Sequence, residues 1–228
     1  MAKPTAGYAM IWPRVCADSI VTILSGRLPP ATNLVKIVSL RYHIGMPAPR
    51  ALELLERIAS LLRSEMRRSA AADGLEPVHI LALWYLAHAN SFSNNPLAVG
   101  EYLGLTKGNV SQRLNVLEQK GLIRKVEDRK DRRRLHLELT RLGRTVLRRN
   151  YPPGTWPAAG VEASLEASLD SILRKMVAAN GGRTFGQCRT CRFHESRAGA
   201  PFCGLLQLPL TAVQATQICR EHEPGIAA

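Results

Sequence analysis

Acidic residues are scarce in this chain, which has 18 Asp and Glu against 31 Lys and Arg and a formal net charge of +13. Such an excess is typical of proteins with an anionic partner, with nucleic acid the first candidate and an acidic membrane surface the second. A merely soluble basic surface is the alternative. Between Lys107 and Arg149, however, fourteen basic residues face only five acids. This concentration predicts a single basic face.

Long apolar runs are also absent. No run approaches the roughly 20 residues that a bilayer-spanning helix requires, which excludes a membrane span. The apolar stretch SIVTILSGRL is short, ends at Pro29 and Pro30, and lacks the features of a secretory signal. We therefore expect a cytoplasmic protein, and in that compartment clustered cysteines are more often metal ligands or redox centres than structural disulfides.

Signatures of catalysis are missing as well. The sequence has no nucleotide-binding glycine loop, no supported Ser/His/Asp arrangement and no paired carboxylates in a plausible cleft. The pair Cys188-x-x-Cys191 lacks the strand–helix setting of a redox dithiol. We therefore expect no enzyme. A redox protein whose basic region docks an acidic partner is the alternative from another class.

The first 45 residues lack helical or alternating periodicity and contain one acid, Asp18. Periodicity starts abruptly after Met46, with a proline pair suited to a helix start. Our hypothesis is that the native chain begins at Met46 and that residues 1–45 are an upstream extension or a disordered tail. A real but irregular N-terminal arm is the alternative. We assign no role to Cys16, which lies in this part.

The sequence patterns between residues 49 and 180 predict a mainly α fold with a small β wing. Helical periodicity, N-caps and glycine stops predict helices over 49–71, 76–90, 96–104, 107–121, 141–150 and 161–180. The period changes to two in LIRKVE and RLHLEL, which flank the charged tip DRKDRR and predict a hairpin. Two short helices followed by a basic hairpin are typical of a winged helix-turn-helix.

The second of these helices is rich in groups that pair with base edges in the major groove. Its apolar residues Val110, Leu114 and Leu117 are expected to hold it on the domain. A basic wing tip can place arginine in or beside the minor groove. The predicted DNA-binding residues are Thr106, Lys107, Asn109, Ser111, Gln112 and Arg113 on the helix, and Arg129, Lys130, Asp131, Arg132 and Arg133 on the wing.

The segment NVLEQKGLIRKVEDRKDRRRLHLELTRLG, with its Asp-x-Arg wing and closing Leu-Thr-x-x-Gly, resembles the MarR family of transcriptional regulators. The resemblance extends over residues 49–180. It implies that Asp131 and Arg133 are the wing Asp and the DNA-inserting Arg, and that a homodimer built from the first and last helices binds a pseudo-palindromic site on double-stranded DNA. It also implies a small aromatic effector, for which His79, Trp84, Tyr85 and His88 could line a pocket; packing roles for these residues are the alternative.

A tail beyond the family pattern carries four cysteines with the spacing C-x2-C-x11-C-x15-C. Four thiolates suit tetrahedral zinc and iron–sulfur clusters alike. Zinc folds commonly close with a second paired knuckle, whereas this tail uses two isolated cysteines on longer loops, which favours an iron–sulfur cluster. His194 and His222 are not expected to be primary ligands. The predicted ligands are Cys188, Cys191, Cys203 and Cys219; four unligated thiols or two disulfides are the alternative.

These observations predict four regions: an N-terminal extension (1–45), a winged helix-turn-helix with the first dimerisation helix (46–150), a linker with the C-terminal dimerisation helix (151–182), and a cysteine-ligated module (183–228). Because the resembling fold is complete near Asn180, the module is expected to be a redox or iron sensor, acting through the adjoining dimerisation helix. The alternative is a structural zinc clip, with the aromatic effector as the signal.

Overall fold

The computed structural model describes residues 50–128, 134–154, 156 and 162–225. The hypothesis about residues 1–45 lies outside these residues, as do Arg129, Lys130, Asp131, Arg132 and Arg133 of the predicted wing tip.

Helices dominate the described residues, as predicted. The helices before the tail are α1 (Arg50–Ala71), α2 (Pro77–His88), α3 (Pro96–Leu103), α4 (Lys107–Gln119), α5 (Arg141–Asn150) and α6 (Ala163–Ala179). Several begin where the predicted caps stand. The Asn95 side chain accepts from the backbone N–H of Ala98, and the Thr140 hydroxyl accepts from that of Gly143. Each side chain satisfies a backbone donor that the first turn leaves unpaired.

The core forms around α2, because this helix is apolar on nearly every side. Its Ile80, Leu83 and Tyr85 are fully buried. Against them pack side chains from α3, α4, β2 and α5, so that one continuous cluster joins the helices to the hairpin. Burial of this apolar surface is the main stabilising term of the fold.

The predicted hairpin consists of β1 (Ile123–Glu127) and β2 (Leu135–Leu139), paired antiparallel from Ile123↔Leu139 to Glu127↔Leu135. The Leu137 N–H also donates to the Asn94 carbonyl at 2.7 Å, which fastens the hairpin to the loop before α3. The mainly helical fold with a small antiparallel wing is therefore confirmed.

Close packing requires the glycine of the closing Leu-Thr-x-x-Gly motif. A Cβ placed on Gly143 would lie 2.1 Å from the carbonyl oxygen of Leu122, which is far inside van der Waals contact. Only glycine lets α5 approach the start of the hairpin this closely. The motif thus holds the wing against the helical core.

The tail, residues 183–225, is folded and contains elements that the sequence analysis did not predict. A 3₁₀ turn at Cys188–Thr190 precedes a three-stranded antiparallel sheet of β3 (His194–Arg197), β4 (Ala200–Cys203) and β5 (Leu208–Pro209), in the order β3-β4-β5. A short helix, α7 (Ala212–Thr216), completes it. None of the helices described is long and apolar enough to cross a bilayer.

Candidate functional site

The helix α4 is amphipathic in the way that the sequence predicts. Val110, Leu114 and Leu117 are buried against the core. The opposite side presents the polar residues predicted to contact DNA, since Thr106, Lys107, Asn109, Ser111 and Gln112 are all exposed. Thr106 occupies the N-cap position without a side-chain cap bond. The N-terminal half of α4 is therefore a polar surface held rigidly by three apolar anchors.

Arg113 differs from its predicted neighbours. Its guanidinium donates to the Glu76 carboxylate at 2.6 Å, so α4 is tied to the start of α2. The side chain is about one-third exposed in this pair. In the structure Arg113 thus braces α4, while the five preceding polar residues face solvent.

The base of the wing is held by a network of polar contacts. The Asp128 N–H donates to the Arg134 carbonyl at 3.0 Å, which closes the described part of the hairpin. The His136 ring lies between Asn94, at 2.7 Å, and the Asp128 carboxylate, at 3.0 Å. These contacts fix the direction in which the hairpin leaves the domain.

The tail brings its four cysteines together. Cys188, Cys191, Cys203 and Cys219 all line one small cavity and form no disulfide. Four residues distributed over 32 positions of sequence converge there because the 3₁₀ turn, β4 and the segment after α7 surround the same point. The predicted ligand set is thus assembled on one site.

Three of the four sulfurs accept an N–H donor. The Asn90 amide donates to Cys188 Sγ at 3.3 Å, and the backbone N–H groups of Glu223 and Leu206 donate to the sulfurs of Cys191 and Cys203 at 3.5 Å. Donors of this kind stabilise the negative charge of thiolate ligands and orient them.

The surroundings of Cys219 lower the pKa of its thiol. The hydrogen bond from Cys188 has the largest effect, and the Asn90 side chain, the Glu221 backbone and the Ser93 side chain add to it, so that the pKa of Cys219 is about 6 although burial opposes the shift. The same pairing raises the pKa of Cys188. The Cys188–Cys219 pair therefore favours one negative charge, on Cys219.

The two tail histidines have different positions. His194 lines the cavity, and its Nδ1 is buried without a hydrogen-bond partner. A buried polar atom without a partner calls for an explanation, and a group bound between the thiols would supply one. His222, by contrast, is held by the Thr184 and Thr190 hydroxyls at 2.7 and 3.0 Å and is absent from the cavity lining.

Within the described residues, no group of three or more His, Cys, Asp or Glu side chains is arranged to hold a metal ion. The four cysteines line a cavity.

A second, larger cavity of about 620 Å³ lies between α1, α2 and the chain after α5. Trp84 and His88 line it, whereas His79 and Tyr85 do not. His79 is buried and accepts the Glu76 N–H at 3.0 Å, and the buried Tyr85 hydroxyl donates to the Ser93 carbonyl at 3.0 Å. Two of the four residues considered for an effector pocket therefore have the packing role, and two line a cavity.

Comparisons with known proteins agree with this architecture. Residues 73–134 match the model of the MarR family. The transcriptional repressor MprA of Escherichia coli (strain K12) is 28% identical over 134 residues, which cover 54% of this chain and 75% of that repressor. A crystal structure of S. aureus MepR in its DNA-binding conformation superposes with a TM-score of 0.51 at 18% identity, covering 58% of this chain and 99% of MepR.

The polar face of α4 and the hairpin behind it define a winged helix-turn-helix protein. Over residues 73–134 the chain is similar to the MarR family of DNA-binding transcriptional regulators. The resemblance inferred from the sequence is confirmed, whereas the four-cysteine tail lies outside the matched residues.

Proposed function

We propose that this chain is a homodimeric, sequence-specific regulator that binds a pseudo-palindromic duplex through α4 and its wing, and that its tail holds an iron–sulfur cluster that senses redox state or iron. The observation that carries the second part is the cavity lined by Cys188, Cys191, Cys203 and Cys219, with N–H donors to the sulfurs of Cys188, Cys191 and Cys203. MprA is named as a transcriptional repressor, and MepR was crystallised in a DNA-binding conformation. A cytoplasmic location, with access to DNA, is part of the proposal.

Dimerisation is supported by apolar surface on two helices. In α6 no residue is buried, and the described part of α1 has only Met66 and Ala70 buried. Leu165, Leu169, Leu173 and Met176 of α6 recur at helical spacing and are exposed. Exposed apolar stripes of this kind mark interaction surfaces, and a second copy of the chain can cover both helices in a symmetric dimer.

Replacing Leu173 by glutamate is expected to shift the protein from dimer to monomer at micromolar concentration, because the carboxylate would be desolvated in the interface. Sedimentation equilibrium measures the change. The matched control is Val213→Glu, at an exposed apolar position of α7. It should leave the dimer intact. If both variants sedimented as dimers like the wild type, the dimer interface would lie elsewhere.

The residues of the tail fit an iron–sulfur cluster in three respects. The ligands are four thiols, three of their sulfurs accept N–H donors, and they surround a cavity. Cys₄ ligation with hydrogen bonds to the sulfurs is the common protein environment of [2Fe–2S] and [4Fe–4S] clusters, whose reduction potentials such bonds adjust. When bound, such a group would supply one-electron redox chemistry, and Cys188, Cys191, Cys203 and Cys219 would hold it.

Anaerobic purification followed by an absorption spectrum and assays for iron, sulfide and zinc tests this assignment. We expect a brown protein with a broad band near 400 nm and equal amounts of iron and acid-labile sulfide. A colourless protein with one zinc per chain would contradict the cluster and make the tail a structural clip.

The zinc clip belongs to a second candidate function, which the 620 Å³ cavity favours. Its volume is within the range of small-molecule sites, and Trp84, Tyr151 and Trp156 line it with aromatic surface. In this alternative an aromatic effector binds there and is the signal. Quenching of Trp84 and Trp156 fluorescence by simple aromatic carboxylates, with loss of DNA binding, would support it.

A further inference from the structure

The tail follows α6 in the chain, but it packs against the helix-turn-helix. Ile218 forms a parallel bridge with Ala89, its N–H donating to the His88 carbonyl at 2.8 Å and its carbonyl accepting from the Asn90 N–H at 2.9 Å. Phe185 packs edge-on against Tyr85 and Tyr102. The tail thus extends the domain at the loop between α2 and α3.

Two side chains of that loop hold the cysteine site. Asn90 is fully buried, and its amide donates to Cys188 Sγ. Ser93, also buried, accepts the N–H of Arg220, the residue after Cys219, at 2.8 Å with its hydroxyl. Buried polar groups need their partners, so the conformation of this loop depends on where the cysteines lie.

The residue after Cys219 then reaches α3. The Arg220 guanidinium donates two hydrogen bonds to the Glu101 carboxylate, from Nε to Oε2 at 2.6 Å and from Nη2 to Oε1 at 2.7 Å. The Arg220 side chain is only 16% exposed. The Glu101 side chain is about one-third exposed. A bidentate arginine–carboxylate pair has a more defined geometry than a pair joined by a single bond.

Glu101 stands next to the contact between the two helices of the motif. A Cβ on Gly100 would lie 2.8 Å from Cγ2 of Val110, so α3 and the DNA-reading α4 touch closely at this point. Val110 is one of the three anchors that hold α4 on the domain. A shift of α3 at Glu101 would therefore move α4.

We propose that the Cys219–Arg220 segment, through the Arg220–Glu101 pair, transmits the state of the cysteine site to the helix-turn-helix within the same subunit. This inference rests on the proposed function, and it replaces the route through the dimerisation helix that the sequence suggested. When the four thiols hold their centre, Arg220 is fixed and α3 is clamped. When the thiols are released, the segment after α7 keeps its backbone bonds to the loop between α2 and α3, but Cys219 is no longer held and the Arg220–Glu101 pair loosens.

The test compares full-length protein carrying its centre with the same protein after chelation, for the wild type and for Glu101→Gln and Arg220→Lys. The probe is a duplex selected from a randomised library by the wild-type protein, titrated at fixed salt. For the wild type we expect the Kd to change by about tenfold or more, within the usual range of allosteric coupling. In both variants the ratio between the Kd values of the chelated and the intact protein should fall below about threefold. The metal content of the intact variants should equal that of the wild type.

The matched control is Arg197→Gln, which breaks the exposed Arg197–Glu195 pair at 2.8 Å within the tail. It removes one positive charge but should keep the wild-type ratio. Because Glu101→Gln changes the net charge in both states equally, the ratio is insensitive to that charge. If Glu101→Gln and Arg220→Lys kept the wild-type ratio of Kd values, this inference would be overturned while the sensing function stood. If the wild type itself had equal Kd values with and without its centre, both the inference and the sensing function would be overturned.

Discussion

Replacing Cys203 by serine is expected to strip the tail of its centre, with bound metal per chain falling by about tenfold or more. Cys203 stands on β4 opposite His194, and its sulfur is one of four around the cavity. The buried apolar cluster of the tail is small, consisting of Leu210, Cys188 and Cys219 with Phe92 and Cys203 packed against it. A segment with so little core depends on its centre for stability. Elemental analysis and limited proteolysis of residues 183–225 measure the loss.

The fifth cysteine provides a matched control. Cys16 lies outside the described residues and far in sequence from the tail, so Cys16→Ser should keep the full metal content and the protease resistance of the tail. If Cys203→Ser retained its metal, the ligand set would be wrong. If both variants lost their metal, the loss would come from oxidation of thiols during purification and not from removal of a ligand.

Replacing Gln112 by alanine is expected to weaken binding to the selected duplex by about 1–3 kcal/mol, or roughly 5- to 150-fold in Kd. Gln112 and Asn109 are exposed on the N-terminal half of α4, and amides of this kind pair with base edges. The same change should leave binding to an unrelated duplex nearly unaltered. Lys107→Ala should instead weaken both duplexes similarly and reduce the salt slope by about one.

The control for this prediction is Gln119→Ala, which removes the same side chain from the exposed C-terminal end of the same helix. It should bind both duplexes as the wild type does. Equal losses on the two duplexes for Gln112→Ala would mean that this residue contacts phosphate only, and no loss would remove it from the DNA-reading surface.

The part of the fold between residues 50 and 180 could be predicted because its signals are local. Asn95 and Thr140 cap the helices that they precede, and the change of period after Gly121 marks the hairpin. The three buried anchors of α4 follow from helical spacing alone. Each of these signals depends on residues a few positions apart, which a single sequence displays directly.

The docking of the tail could not be predicted in this way. The contacts that hold it join Asn90 to Cys188 and Glu101 to Arg220, residues 98 and 119 positions apart. Asn90 and Ser93 are single polar residues in a loop, and nothing in their neighbourhood shows that they will be buried. The strands of the tail are two to four residues long and lack alternation, so they carry no periodic signal.

We propose that a four-cysteine centre controls how this MarR-like protein binds DNA. One titration tests this proposal: the selected duplex is titrated with wild-type protein whose centre is intact and with wild-type protein whose centre has been removed, at one salt concentration. We expect the two Kd values to differ by about tenfold or more. Equal Kd values, from protein whose metal content differs between the two samples, would contradict it.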